Sequence, residues 1–175
     1  MEEKEAVLRG LELALKMEAD GKKYYQYASS NSTNEAGQKL FASLAAEEDE
    51  HSRRFYEIYK HIKETNTWPD AGIKAASGKN IRTIFAESLA EANKEGIKWD
   101  TEMKAVEAAR KMEDESISLY THLESLASSE AEKRFFEDII AEEREHSLSL
   151  NDYAEYLRDP AGWFVAKEHH SLDGS

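Results

Sequence analysis

The sequence predicts an all-α fold in which one helical hairpin occurs twice, and three observations lead to this prediction. Only 2 Pro and 8 Gly interrupt the 175 residues. The stretches between them are rich in Ala, Leu, Glu and Lys, which lose the least free energy on entering a helix. The second half of the chain also repeats the residue pattern of the first half. A chain of this length can bury the core of one domain.

Four breaks in the helical pattern predict four long helices. Ser, Asn and Thr cluster at 30–34, a break with Pro, Gly and Asn follows at 65–78, and shorter breaks fall at 128–129 and 159–160. We therefore expect helices at about 3–30, 34–63, 100–127 and 130–157. Ser129 and Glu132 have the form of a capping box, which favours a helix start there.

The segment between the second and third helices, about 64–95, is too long for a tight turn. We expect it to cross the bundle from one end to the other and to contain a short amphipathic helix near 81–93. Residues 1–158 would then form the bundle, and residues 159–175 would form a C-terminal tail.

The internal repeat has a constant offset of 95 residues. Tyr25 and Phe41 recur as Tyr120 and Phe136. Longer matches join Lys16-Met17-Glu18 to Lys111-Met112-Glu113, and Ala46-Glu47-Glu48 with Glu50-His51-Ser52 to Ala141-Glu142-Glu143 with Glu145-His146-Ser147. Chance similarity between Glu- and Ala-rich helices is the alternative. One ungapped offset that covers acids, His, Phe and Tyr favours a true repeat.

Polar residues interrupt the predicted inward face of every helix. Steps of four and three keep a stripe of residues against a partner helix. The second-helix stripe is Gly37, Phe41, Leu44, Glu48, His51, Phe55, Ile58 and Ile62, and the fourth-helix stripe is Glu132, Phe136, Ile139, Glu143, His146, Leu150, Tyr153 and Leu157. Seven-residue steps give Leu11, Glu18 and Tyr25 on the first helix and Val106, Glu113 and Tyr120 on the third.

The four glutamates and two histidines of these stripes can meet at one level. The midpoint of 18 and 48 is residue 33, the midpoint of 113 and 143 is residue 128, and both fall in predicted turns. Four carboxylates buried together would repel each other and lose hydration unless cations compensate them. Alternatives are a metal-free polar network and shifted stripes that leave the acids exposed.

We predict a dinuclear metal site, because one Glu from each of two helices and Glu-x-x-His from each of the others form a known ligand set. Glu18, Glu48 and His51 would bind one metal, and Glu113, Glu143 and His146 the other. Glu48 and Glu143 are the predicted bridges. Ligation by carboxylate and imidazole without thiolate suits iron or manganese better than structural zinc.

Other residues lie close to the predicted ligands along the same helices. Tyr25 and Tyr120 are expected to hydrogen-bond ligand carboxylates, although both could be ordinary core aromatics. Gly21 and Ser116 are small and could leave room for a bound oxygen species. The stripes exclude Glu47, Glu142, Glu50 and Glu145 as ligands, and His61, His122, His169 and His170 are expected at the surface.

Composition excludes several function classes. Lys and Arg total 23 against 36 Asp and Glu, and the net charge of −13 disfavours nucleic acid and anionic membranes as partners. The absence of Cys excludes disulfides, thiolate metal sites, iron–sulfur clusters and cysteine nucleophiles. Since no signal peptide or membrane-length apolar run is visible, we expect a cytoplasmic protein.

The combination of paired Glu-x-x-His motifs, a Met-Glu about thirty residues before each, and a Tyr seven residues after each Met-Glu resembles the ferritin-like di-iron superfamily. Within it, residues 5–157 resemble the rubrerythrin-like branch most. This resemblance implies a ferritin-like four-helix bundle with two iron ions per chain, with manganese or mixed metal as alternatives. It also implies a di-iron oxidoreductase that reduces hydrogen peroxide or oxygen, in a homodimer or higher homo-oligomer.

Two departures from rubrerythrins limit what the resemblance implies. Rubrerythrins carry a rubredoxin domain with four Cys, so this chain would need an external electron donor such as a separate rubredoxin. Rubrerythrins also have a carboxylate where this chain has Ser116, and the ligand set here resembles the symmetric arrangement of bacterioferritin. Haem is not expected, because Asp49 and Glu50 stand where bacterioferritin has its haem-ligating Met. A ferritin-like iron-storage protein with ferroxidase activity and a metal-free helical interaction module are the alternative functions.

Overall fold

The computed structural model describes residues 2–69 and 97–163, and four long helices occupy most of this part of the chain. They are α1 (Glu2–Asn31), α2 (Glu35–Thr65), α3 (Trp99–Ser125) and α4 (Glu130–Arg158). No strand occurs among the described residues, which confirms the all-α prediction, and every predicted helix end lies within two residues of the observed one. The predicted short helix near 81–93, most of the crossover, and the tail from residue 164 lie outside the described residues.

The turns that close the two hairpins are short because local hydrogen bonds define the helix ends. At the start of α2, the side-chain oxygen of Asn34 accepts a hydrogen bond from the backbone N–H of Ala36 at 3.1 Å. At the start of α4, Ser129 Oγ accepts from the N–H of Glu132 at 3.2 Å, and the Glu132 carboxylate accepts from the N–H of Ser128 at 2.9 Å. The predicted capping box is therefore present, with its return bond one residue earlier than expected.

The four helices pack as two antiparallel hairpins. α1 packs along α2 and α3 along α4, while α1 also contacts α3 and α2 contacts α4. Every residue of the two predicted stripes on α2 and α4 is buried. The apolar core consists of two clusters, one around Phe41, Leu44 and Leu150 and the other around Phe55 and Ile58. Along α2 the buried Glu48 and His51 lie between these clusters, so a polar layer divides the core.

A buried carboxylate outside this layer joins three elements at one end of the bundle. Glu102, near the start of α3, is 1% exposed and accepts hydrogen bonds from Ser32 Oγ at 3.0 Å and from Tyr153 OH at 2.9 Å. It also accepts from the backbone N–H of Thr33 at 2.5 Å. These bonds connect the α1–α2 turn to α3 and α4, and the sequence pattern does not indicate them.

Candidate metal centre

The structure brings all six predicted ligands into the polar layer, two from each of α2 and α4 and one from each of α1 and α3. None is more than 5% exposed to solvent; the six are Glu18, Glu48, His51, Glu113, Glu143 and His146. The helix pattern explains this placement, because the four-three stripe turns the two Glu-x-x-His motifs inward and the seven-residue step aligns the other two glutamates.

The histidines face the carboxylates through the same ring nitrogen. His51 Nδ1 lies 3.2 Å from Glu18 Oε2 and 3.1 Å from Glu143 Oε1. His146 Nδ1 lies 3.1 Å from Glu143 Oε2, 3.5 Å from Glu48 Oε1 and 3.6 Å from Glu113 Oε2. The two imidazole rings are nearly parallel, with centroids 5.4 Å apart. Each Nδ1 atom therefore faces its own set of carboxylate oxygens, and Glu143 contributes one oxygen to each set.

Two groups of four residues have the composition and proximity of metal sites. In each group, one ligand atom per residue lies within 4.8 Å of all the others; the groups are Glu18, Glu48, His51 and Glu143, and Glu48, Glu113, Glu143 and His146. Glu48 and Glu143 belong to both groups, which is the arrangement that two bridging carboxylates require. The half-buried Glu47 falls with His51 and His146 in a third possible group, although its position lies off the predicted stripe.

Several oxygen and nitrogen atoms of this layer that could ligate a metal are buried without a hydrogen bond. They are Oε2 of Glu18, both carboxylate oxygens of Glu143, and Nδ1 of His51 and of His146. Nδ1 of His51 approaches Glu143 closely, yet no hydrogen bond of acceptable geometry joins them. Burying such atoms without partners costs free energy, and divalent cations with oxygen and nitrogen ligands would satisfy them. The donor set therefore fits a pair of metal ions.

The carboxylates of this layer differ strongly in proton affinity. Burial and the charge of Glu143 raise the pKa of Glu113 to about 8, and burial with the charges of Glu143 and Glu18 raises the pKa of Glu48 well above its ordinary value. Burial alone would raise the pKa of Glu143, but the two nearby imidazoles bring it well below the ordinary value. Metal ions binding here at neutral pH must therefore displace protons.

The pKa values of both histidines are raised, whereas burial alone would lower the pKa of an imidazole. Burial lowers the pKa of His51, but the carboxylates of Glu143, Glu18 and Glu142 raise it well above the ordinary value. The pKa of His146 is likewise raised by Glu113 and Glu143 against the effect of burial. Without metal, the positive charge of the imidazoles thus replaces part of the charge that cations would supply.

Two tyrosines connect the hairpins through the candidate ligands. Tyr25 OH of α1 donates to Glu113 of α3, and Tyr120 OH of α3 donates to Glu18 of α1. Burial and the adjacent carboxylates raise the pKa of both phenols well above its ordinary value, so that both remain hydrogen-bond donors. Each tyrosine therefore holds the glutamate of the other repeat rather than that of its own helix.

Sequence reasoning missed the polar partners of His51. Nε2–H of His51 donates to Glu142 Oε2 at 2.8 Å, and Arg54 Nη1 donates to Glu142 Oε1 at 3.2 Å. Arg54 is 1% exposed, whereas the Glu142 side chain is 23% exposed. Burial alone would raise the pKa of Glu142, but hydrogen bonds from His51 and Arg54 lower it. An imidazole with one nitrogen held by a carboxylate presents its other nitrogen to a metal in a fixed orientation.

The remaining assignments concern the surface. Glu145 is exposed and Glu50 is partly exposed, as the stripe predicts. His122 is exposed and His61 partly exposed, whereas His169 and His170 lie outside the described residues. Across the ranges 2–69 and 97–163, no helix is long and apolar enough to cross a membrane.

A comparison with known families agrees with this geometry. A sequence model named Rubrerythrin matches residues 10–154, a range that contains all six candidate ligands and both tyrosines. The chain belongs to the rubrerythrin family. This family is part of the ferritin-like di-iron superfamily, which agrees with the fold and with the paired acid and histidine groups. No curated protein and no solved structure shows significant similarity to the chain. Among rubrerythrin-family features, iron–sulfur ligation is excluded because the sequence contains no Cys.

Proposed function

We propose that this protein is a di-iron oxidoreductase that reduces hydrogen peroxide, or oxygen, with electrons from an external donor. The observation that carries the proposal is the pair of buried four-residue groups that share Glu48 and Glu143 and leave donor atoms unbonded. In our assignment Glu18, Glu48 and His51 would hold one iron and Glu113, Glu143 and His146 would hold the other, with Glu48 and Glu143 shared between the two. Manganese or a mixed pair would fit the same donors.

The iron pair, when bound, can supply one electron from each metal and neutralise the charge of a reduced oxygen species. Reduction of one hydrogen peroxide consumes two electrons and two protons and gives two waters. The chain's own residues orient the pair. Tyr25 and Tyr120 hold Glu113 and Glu18, Glu142 fixes the ring of His51, and apolar clusters pack on either side of the layer.

We propose that the electrons come from a donor outside these 175 residues, which contain no Cys and therefore no rubredoxin-type iron site. A separate rubredoxin is the donor that we propose. We also propose a cytoplasmic homodimer or higher homo-oligomer, without nucleic acid, membrane or haem as a partner.

A stopped-flow experiment tests the proposal. Protein loaded anaerobically with Fe(II) is mixed with one equivalent of hydrogen peroxide, and we expect both irons to be oxidised within the mixing experiment, far faster than free Fe(II) under the same conditions. The Glu48→Ala, Glu143→Ala double variant should bind neither metal stably, whereas Glu145→Gln should behave as the parent protein. Equal behaviour of the two variants, or no accelerated oxidation, would contradict the proposal.

The second candidate function is iron storage with ferroxidase activity. The acidic balance of the chain, −13, favours it because Fe(II) would be attracted to such a surface. A storage protein would oxidise many Fe(II) ions per chain with oxygen and would assemble into a shell. The molecular mass in solution distinguishes the two candidate functions, since a dimer or small oligomer disfavours a self-assembled storage shell.

A further inference from the structure

A cavity of about 360 Å³ lies between α1 and α3 and reaches the candidate metal centre. Glu48, Glu113 and Tyr25 line its inner end. Gly21 is part of its wall, and a Cβ atom added there would lie 3.3 Å from Glu48 Oε2. The cavity thus leads from the surface to one of the two groups of candidate ligands.

Part of the cavity wall consists of residues paired by the repeat. Met17 and Met112 match, as do Gly21 and Ser116. Tyr24 breaks this symmetry, because the corresponding position on α3 is Leu119, which does not line the cavity. Tyr24 is held in place by a hydrogen bond from its hydroxyl to the carbonyl oxygen of Ala105 at 2.7 Å. Two thioethers and a fixed aromatic ring make the walls largely apolar.

The size of the cavity exceeds what hydrogen peroxide requires. One water occupies roughly 30 Å³ in the liquid, and peroxide has only one more oxygen atom. Pockets that bind small organic molecules begin at about 300 Å³. The two small residues, Gly21 and Ser116, keep this space open next to the candidate ligands.

The charges at the cavity also limit what can bind. Asp20 and Glu115, another repeat-related pair, are exposed residues of its lining. Two carboxylates at this position disfavour an organic anion such as a fatty-acid hydroperoxide.

We infer that the cavity between α1 and α3 binds the apolar group of a neutral organic hydroperoxide, so that the centre reduces such hydroperoxides in addition to hydrogen peroxide. This inference rests on the proposed function. In the overall step, the O–O bond of the hydroperoxide breaks, and two electrons from the external donor and two protons convert it to one alcohol and one water. The alcohol product keeps the apolar group and should bind the same walls.

Methyl NMR of the metal-free protein tests the binding site without any turnover. The chain has 4 Met, of which Met17 and Met112 line the cavity, whereas Met103 packs against the apolar cluster around Phe41 and is not part of the cavity lining. Cumyl alcohol, the product of cumene hydroperoxide, should shift the ¹³C-methyl signals of Met17 and Met112 and leave that of Met103 unchanged. Shifts of all methyl signals alike, or of none, would overturn the inference.

Variants of the cavity wall extend the test to catalysis. Ser116→Leu narrows the cavity and should lower kcat/KM for cumene hydroperoxide by about tenfold or more relative to kcat/KM for hydrogen peroxide, which needs less of the space. Met17→Gln, which keeps the side-chain length but adds polarity, should act in the same direction. Met103→Gln on α3 is the matched control and should leave kcat/KM for both peroxides unchanged.

The outcomes separate this inference from the proposed function. If the Fe(II)-loaded protein reacts with hydrogen peroxide but not with cumene hydroperoxide, the inference is wrong and the proposed function stands. If neither peroxide reacts, the proposed function fails, and the inference fails with it even if cumyl alcohol binds. If Ser116→Leu slows Fe(II) loading and cumyl alcohol shifts no methyl signal, the cavity is an entry route for metal, which also overturns the inference.

Discussion

At the scale of single residues, the two halves of the candidate centre differ at Arg54. The repeat relates every predicted ligand to a partner 95 positions away, but Arg54 corresponds to Ser149. Arg54 binds Glu142, which in turn fixes His51, whereas Ser149 Oγ donates to the carbonyl oxygen of Glu145 within its own helix at 2.9 Å. His146 therefore lacks an arginine at the position equivalent to Arg54.

This difference predicts two unequal metal affinities, with the tighter site at His51. An Arg54→Ser substitution introduces the residue of the other repeat and should weaken that site by about 10–100-fold, the range found when partners of metal-binding histidines are removed. A competition titration with Co²⁺ against a chelator measures both affinities. The expected result is two distinct constants in the parent protein and two similar ones in the variant.

Arg53→Ser is the matched control for this experiment. Arg53 is exposed and pairs with Glu50 and Glu57 on the same helix, so its loss should leave both affinities unchanged. Equal affinities in the parent protein would show that Arg54 does not distinguish the two sites.

The same residues show how far sequence reasoning reaches at this scale. Glu48, His51 and Tyr25 could be placed because helical periodicity determines which face of a helix a residue occupies. Glu142 could not, since it lies one position off the stripe and meets His51 only because its long side chain reaches towards α2. Periodicity describes direction around a helix axis and does not describe the reach of a side chain.

At the scale of elements, the end of the first hairpin depends on the absence of a side chain at Gly37. A Cβ atom at this position would collide with the hydroxyl of Tyr153 and would lie 2.7 Å from Ser32 Oγ. Both hydroxyls donate to the buried Glu102. The close approach of α2 to these groups therefore keeps three elements joined at one carboxylate.

Gly37→Ala should lower the free energy of unfolding by about 1–3 kcal/mol, as overpacking of a core usually does. Urea denaturation of the metal-free protein measures this, and the loss should be smaller in a Tyr153→Phe background, where the colliding hydroxyl is absent. Gly10→Ala is the control, because its Cβ would meet only the flexible end of the Leu123 side chain. An equal or larger loss from Gly10→Ala would contradict the explanation.

The helices themselves were predictable, because their ends carry local signals. Asn34 and Ser129 are N-cap residues that stand in visible breaks of the pattern. Glu102 carries no such signal, since it is one acid among many on α3 and its partners come from Ser32, Thr33 and Tyr153. Which surface-like acid becomes buried is decided by tertiary contacts that a single helix does not encode.

At the scale of the whole molecule, the bundle carries a layer of ionisable groups through its core. In the metal-free protein, bound protons reduce the repulsion between the carboxylates of this layer. Raised pKa values of Glu48, Glu113, His51 and His146 mean that the folded chain keeps protons that the unfolded chain releases at neutral pH. The pKa of Glu143 is lowered in the folded chain. Its contribution to the stability of the fold is therefore fully present above the ordinary pKa of a glutamate, and it does not change with pH near neutrality.

The sign of the pH dependence follows from these directions. A group with a raised pKa stabilises the fold fully below its unfolded value, and this contribution is lost as the pH rises through its folded value. For Glu113 the loss extends up to a folded pKa of about 8. Metal ions replace the protons and favour the deprotonated ligands, so a metal-loaded protein should not share this loss.

We therefore predict that the unfolding temperature of the metal-free protein falls between about pH 6 and about pH 9, and that the difference between Zn²⁺-loaded and metal-free protein grows over the same range. Differential scanning calorimetry at several pH values measures both curves. Glu113→Gln should make the metal-free curve shallower because the amide does not titrate, whereas the exposed Glu145→Gln should reproduce the parent slope. A metal-free protein that becomes more stable as the pH rises would mean that the buried carboxylates are already ionised, and the core would then have to balance their charge by some means other than protons or metal ions.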